Sequence, residues 1–437
     1  MTAFLNTIKS VKALISPLSA FFLGTIFTCT AYGLLSSTLS LKLNDMEVST
    51  FEIGMVMALY YAGYIFASLS SHTIINRVGH IRAFGAYISV LSALVLLHAF
   101  SANSIYWGIL RLLEGYCLGA AIMCLESWLN TRTQNKNRGV IMSLYMITTY
   151  LGSAFGQLLL NIPDPNGIFV FITVSVLYSV ALVPISLTAL PTPDIAEHKS
   201  MSIKRLYQIS PVGVVGCIVS GVMVGSVYIL GTVYASKSGL DLERVSLFMF
   251  FIIMGGMLAQ LPVGKLSDRM DRRFVLMWEA GILFFIAPWT HLFISGATWE
   301  LALVAIILGA GVFVMYPLCV SHVNDKIDDS ERVEASGMLI LLQSIGMIFG
   351  PIVISFMMQT WGAISFLISF SVVNGFFVLF SLSHITFKST DNDGSTTKMT
   401  PVPMSPTHVY HKLTQNKSLV EQAKNFLQKT LNEKSDT

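Results

Sequence analysis

The stretch Gly264-Lys-Leu-Ser-Asp268-Arg269-Met-Asp-Arg272-Arg273-Phe274 sets four basic and two acidic residues into eleven positions between two almost purely apolar runs, near 244–263 and 274–295. About 20 apolar residues cross a hydrocarbon layer as a helix, because backbone amides in lipid must be satisfied within their own segment. A compact charged stretch between two such runs therefore reads as a loop at a membrane surface. Outward from it the same pattern recurs, with further runs near 13–41, 52–75, 83–101, 104–130, 139–162, 168–190, 211–235, 299–322, 335–359 and 363–386, twelve in all. The 437 residues are 54% hydrophobic and only 12% charged, about half the charged fraction of a soluble domain, which excludes an ordinary water-soluble enzyme. A net charge of +3 is too small to suggest nucleic-acid binding.

Lys and Arg are sorted by alternate loops. One side of the layer holds Lys9, Lys12, Arg77, Arg82, Arg132, Lys136, Arg138, Lys199, Lys204, Arg205, Lys265, Arg269, Arg272, Arg273, Lys326, Arg332 and seven more in the tail, 23 of the 27. Lys42, Lys237 and Arg244 fall on the other side and Arg111 lies inside a span. Basic loops stay cytoplasmic, so both termini are expected inside, which agrees with an even number of spans. The first run has no small-residue cleavage site and reads as a retained span rather than a removed signal peptide. All five cysteines sit inside apolar runs without metal-ligand spacing, so neither disulfides nor a metal are expected. The polar, basic segment 191–210 divides an N-terminal six-helix bundle, 1–190, from a C-terminal one, 211–387. Residues 388–437 read as a cytoplasmic tail, mostly disordered, with one short amphipathic helix between Ser418 and Glu433.

The two halves repeat each other. Asn76-Arg77 matches Asp268-Arg269 at an offset of 192, while Gly152/Gly156 match Gly346/Gly350, Arg138 matches Arg332 and Gly115 matches Gly309 at 194. Such parallel duplication is typical of transporters whose site lies between the repeats.

The pattern G-x-x-x-D-R-x-x-R-R, met here by Gly264, Asp268, Arg269, Arg272 and Arg273, resembles the signature loop of the major facilitator superfamily. Arg111-x-x-x-Gly115 is similar to that superfamily's second motif, and the resemblance runs from about Val11 to Phe387. The stretches ESWLN (126–130), NRG (137–139) and GSAFGQ (152–157), with Tyr145 and Tyr150, resemble the YcaD-like bacterial branch. The first-half loop departs from the signature: His72 replaces the glycine, Asn76 the aspartate and His80 an arginine. The proline that drug/proton antiporters carry after Gly156 is replaced by Gln157, and Pro351 stands at the matching second-half position.

The resemblance implies an all-α membrane protein with twelve transmembrane helices in two six-helix bundles. It implies a secondary active transporter of a small organic solute across a bacterial inner membrane, proton-coupled and working by alternating access as a monomer. No phosphate-cradling GxxxxGK[ST] is present, so no ATP and no cofactor are expected. An uncoupled facilitator, a multidrug efflux carrier and a carrier-derived sensor remain as alternatives. Ionisable residues inside spans are costly and usually functional, which nominates Arg111 and Glu114, one helical turn apart, to bind an anionic group or take up a proton. Helices expected to line the path nominate Thr28, Tyr32, Tyr228, Tyr234 and Tyr316, with Tyr145, Gln157, Gln260 and Gln343 from adjoining helices. Glu126, near the cytoplasmic end of the fourth span, is expected to latch a gate formed by Asn76, Arg77, Arg82, Arg138, Gly264, Asp268, Arg269, Arg272 and Arg273. Glu279, just inside the ninth span, is expected to snorkel or to pair with Arg272 or Arg273.

Overall fold

The computed structural model describes residues 18–132, 138–164, 167–187, 201–328 and 331–384. Among them the ordered elements are helical. The first half comprises α1 (Ser19–Asp45), α2 (Thr50–Val78), α3 (His80–Leu97), α4 (Ser104–Arg132), α5 (Arg138–Leu158) and α6 (Phe169–Ser186). A short helix, α7 (Ile203–Ile209), follows inside the segment expected to be linker. The second half comprises α8 (Pro211–Lys237), α9 (Leu242–Ser267), α10 (Arg272–Thr290), α11 (Thr298–Asn324), α12 (Arg332–Trp361) and α13 (Ser365–Ser383). The amphipathic helix expected between Ser418 and Glu433 lies outside the described residues.

Eleven of the twelve long helices are long and apolar enough to cross a membrane. The twelfth, α5, is more polar because its buried side carries Thr148, Thr149, Ser153 and Gln157, and it packs on α1 within its half and on α9 of the other. Elsewhere Phe66, Leu69, Trp278, Phe285, Phe356 and Leu379 point outward. Exposed rings and aliphatic chains on this scale fit a lipid-facing surface.

Helix boundaries follow local chemistry. Ser210 caps α8 by accepting from the Gly213 amide at 3.2 Å, with Pro211 at the first helical position. Asp241 accepts from the Arg244 amide at 2.9 Å, and Asp271 accepts from the Arg273 amide at 2.8 Å. The chain leaves α2 through Gly79 at φ 87° and α12 through Gly362 at φ 85°, left-handed backbone that glycine adopts without strain.

The sequence repeat is also a packing repeat. A Cβ on Gly63 would collide with the Leu112 carbonyl oxygen and one on Gly115 with that of Tyr60, which brings α2 and α4 into backbone contact. In the second half Gly255 meets the Ile306 carbonyl and Gly309 that of Ile252, joining α9 to α11 in the same way. Gly152 and Gly156 against α1 are likewise mirrored by Gly346 and Gly350 against α8. Small residues at such crossings allow the close van der Waals packing that holds helices together in lipid, where no hydrophobic drive operates between them.

Candidate functional site

The halves meet most closely at the end opposite the Arg-rich loop. There Ser36 donates to the Tyr228 carbonyl at 3.2 Å and Ser40 to the Ile229 carbonyl at 2.9 Å, tying α1 to α8. Ser246 of α9 donates to the Gln157 carbonyl at 2.8 Å, and the Asn161 amide donates to the Ser246 hydroxyl at 3.0 Å. The Phe51 amide donates to Gln359 at 3.1 Å. Nearer the middle, the Gln260 amide donates to the Tyr150 hydroxyl.

Above this closed end lies a central cavity lined by Thr28, Cys29, Tyr32, Tyr60, Tyr61, Tyr64, Leu118, Ile122, Thr149, Ser153, Tyr228 and Met347. It leaves about 50 Å³ for the centres of water-sized molecules, room for a few waters. Five of these twelve residues are tyrosines. Tyr32 stacks on Tyr60 at 5.2 Å, Tyr60 meets Tyr61 edge-on at 5.2 Å, and Tyr228 reaches Tyr32 at 5.8 Å from the other half. The Tyr32 and Tyr61 hydroxyls are 3.3 Å apart. The Thr28 hydroxyl is buried without a hydrogen-bond partner, so it is available to an occupant. This wall offers flat apolar faces with a few polar tips, which suits a small amphipathic molecule.

Directly behind the Tyr60 ring stands Arg111, its guanidinium carbon 4.4 Å from the ring centroid. Its Nη1 lies 3.0 Å from Glu114 Oε2, one turn along α4, and both residues are only 1% exposed. The pairing expected from the i, i+3 spacing is therefore present. His98, 2% exposed at the end of α3, brings Nδ1 to 3.4 Å from Glu114 Oε1.

Of the other nominated residues, Thr28, Tyr32 and Tyr228 line the cavity and the rest are not among its lining residues. Tyr145 donates to Glu126 Oε1 at 3.0 Å. The Gln157 amide donates to the Gly33 carbonyl at 3.0 Å and its oxygen accepts from Ser37 at 2.5 Å, which fixes α5 to α1. Tyr234 stacks on Phe366 at 4.9 Å and hydrogen-bonds His291 at 2.9 Å, inside the second half. Tyr316 and Gln343 are buried in α11 and α12. Tyr60, Tyr61 and Tyr64 were not anticipated; their i, i+1, i+4 spacing on α2 is the signal that could have found them.

At the basic end, Arg272 is nearly fully buried and binds three groups: Asp268 at 3.1 Å, Asp325 at 2.6 Å and the Ser267 hydroxyl at 2.8 Å. Asp325, at the foot of α11, is an addition to the expected gate. Arg273 pairs with Asp271 at 3.5 Å. Gly264 is buried and its carbonyl accepts the Asp268 amide at 3.0 Å, while Arg269 is exposed. Glu279 snorkels to neither arginine: its carboxylate oxygens are buried without hydrogen bonds, because Arg272 and Arg273 are already engaged by aspartates. In the first half Asn76, Arg77 and Arg82 are exposed, and the expected ion pair from Arg77 or Arg82 to Glu126 is not formed among the described residues. The Arg138 side chain lies outside them. His80, which aligns with Arg272, is buried and meets the Ser127 hydroxyl at 2.9 Å.

Two six-helix halves, a cavity between them and a charged pair buried at membrane depth define a multi-pass membrane carrier. Known proteins agree. The Major Facilitator Superfamily family model matches residues 21–288 and 217–420. The MFS-type transporter YcaD of Escherichia fergusonii is 26% identical over 347 residues, covering 78% of this chain and 89% of its own. An MFS-type transporter of Yersinia enterocolitica is 27% identical over 349 residues, covering 79% and 90%. Among solved structures, a mutant of the nucleoside transporter NupG superposes with a TM-score of 0.72 at 12% identity, covering 85% of this chain and 100% of its own. A bacterial homolog of the human lysosomal transporter Spinster, in an inward-facing and occupied conformation, gives 0.65 at 14% identity, covering 84% and 96%. The chain belongs to the major facilitator superfamily, in its YcaD-like branch, and is a membrane transporter.

Proposed function

We propose that the protein is a secondary active carrier of a small organic, anionic solute across the bacterial inner membrane, coupled to protons and working as a monomer by alternating access. The observation that carries this reading is the Arg111–Glu114 pair buried directly behind a tyrosine of the cavity wall. A cation held 4.4 Å from Tyr60 attracts an anion in the cavity, and a carboxylate beside that cation can take up a proton once the cation is engaged elsewhere. The bias of basic residues puts both termini and the Arg-rich loop in the cytoplasm. On that orientation the hydrogen-bonded end faces outward, and the cavity opens inward when the Arg272 cluster and its surroundings rearrange.

The test is flux into proteoliposomes, screened over small organic acids, with and without an imposed pH gradient. Accumulation that follows the gradient supports the reading. Flux indifferent to the gradient would mean an uncoupled facilitator, flux of many unrelated cationic drugs an efflux carrier, and binding without flux a sensor.

A further inference from the structure

His98 is a buried ionisable ring, near the backbone of Leu94 and Val95 and with Nδ1 beside a Glu114 carboxylate oxygen. Phe171 stacks on the imidazole at 5.7 Å and an interplanar angle of 17°, and Trp107 meets it edge-on at 5.3 Å. Trp107 is itself pinned by its indole N–H to the Ser101 carbonyl at 2.6 Å. Two aromatic walls and a carboxylate oxygen 3.4 Å from Nδ1 are contacts that a protonated ring can use. Charged and titratable groups face this pocket from every side. Glu114, Arg111 and Cys117 come from α4, Tyr60 stands behind Arg111 on α2, and Tyr178 of α6 lies within electrostatic reach of the pair. Lys42 of α1 sits on Phe171 at 5.4 Å, its ammonium bound to the Gly167 carbonyl at 2.8 Å and near Asp164 at 3.9 Å.

The duplication shows that packing does not demand these groups. The second-half counterparts of Arg111 and Glu114, at the offset of 194, are Ala305 and Leu308, and that of His98, at 192, is Thr290. All three are buried, and the glycine contacts of the two halves are equivalent without any charge at those places.

We propose that His98 and Glu114 form a buried proton-binding site, with Arg111 as the group through which its charge is felt in the central cavity. The inference deepens the proton-coupled reading and rests on it for its role in transport. With no solute, Glu114 is neutralised by Arg111, and a proton on His98 would place a second cation beside the pair. An anion that draws on Arg111 across the Tyr60 ring frees Glu114 to hold the imidazolium. Anion and proton then strengthen each other's binding, and linkage makes the effect reciprocal. The coupling sense is therefore symport.

Trp107 supplies a readout that needs no solute, because an imidazolium against an indole quenches its fluorescence more than a neutral imidazole does. In purified protein reconstituted into lipid nanodiscs, the fluorescence that Trp107→Phe removes should change with pH as His98 takes up a proton. His98→Gln should abolish this titration, and Glu114→Gln should move its midpoint by about one pH unit or more. If a variant does not fold, the wild-type titration against Trp107→Phe still decides whether His98 takes up a proton. No change of this fluorescence with pH, or a midpoint indifferent to Glu114→Gln, would overturn the proposal. An intact titration with flux that ignores the pH gradient would instead sink the proton-coupled reading while leaving the binding site standing.

Discussion

Cutting the Arg111–Glu114 pair from each side should give unequal losses of stability. Replacing one partner of a buried ion pair leaves the other charge uncompensated and costs about 3–5 kcal/mol. After Glu114→Leu, Arg111 retains only the Tyr60 ring at 4.4 Å, an interaction of about 0.5–2 kcal/mol, and a guanidinium cannot shed its charge. That variant should fall at the upper end of the range. After Arg111→Met, Glu114 keeps His98 at 3.4 Å and can itself be protonated, so the loss should be smaller by about 1 kcal/mol or more. The double variant removes both charges and leaves side chains like those at Ala305 and Leu308, which the second half buries without difficulty. Its stability should lie within about 1–2 kcal/mol of wild type. A double-mutant cycle on unfolding in detergent micelles measures all three. Additive losses would refute the reasoning, as would Glu114→Leu proving milder than Arg111→Met.

Further expectations follow from the same geometry. Gly115→Val should abolish folded protein on fluorescence-detected size exclusion, and Gly309→Val should do the same in the second half, since each Cβ would meet a backbone carbonyl; a monodisperse peak from either would contradict the packing repeat. Asp325→Asn weakens the 2.6 Å contact to Arg272 and should slow solute flux while thermal shift by the same solute persists; lost binding with normal flux would remove the cluster from the gate. Asn161→Cys with Ser246→Cys, in a background lacking native cysteines, should cross-link the halves at the closed end and stop flux until a reductant is added. Cross-linking without effect on flux would mean that this end does not open.

The architecture was legible in the sequence because its causes are local. Twelve apolar runs, glycines at matching offsets and Arg-rich loops each require only short windows, and the Arg111–Glu114 pair lies within one turn of one helix. Boundaries shifted where hydropathy gives no sharp stop: the first span, expected to end near 41, continues as α1 to Asp45. Helix α7 escaped notice because Lys204 and Arg205 interrupt its apolar positions, of which Leu206 is buried. The site was less legible because its partners come from different helices. No spacing links His98 on α3 to Glu114 on α4, or Arg272 to Asp325. The aromatic series on α2 could equally have faced lipid until the Gly63 and Gly115 contacts fixed that helix's rotation. Tyr234 illustrates the converse: a tyrosine on a helix expected to line the path is turned inward to His291.

The most direct measurement uses Cys29, a native thiol in the cavity wall, in protein whose other four cysteines have been replaced. A membrane-impermeant thiol reagent is applied to oriented vesicles from one face and then, in separate samples, from the other. Alternating access predicts labelling from both faces, with the cross-link between positions 161 and 246 abolishing it from the outer face alone. Labelling confined to one face in the unlinked protein would contradict a carrier that opens its central cavity to each side in turn.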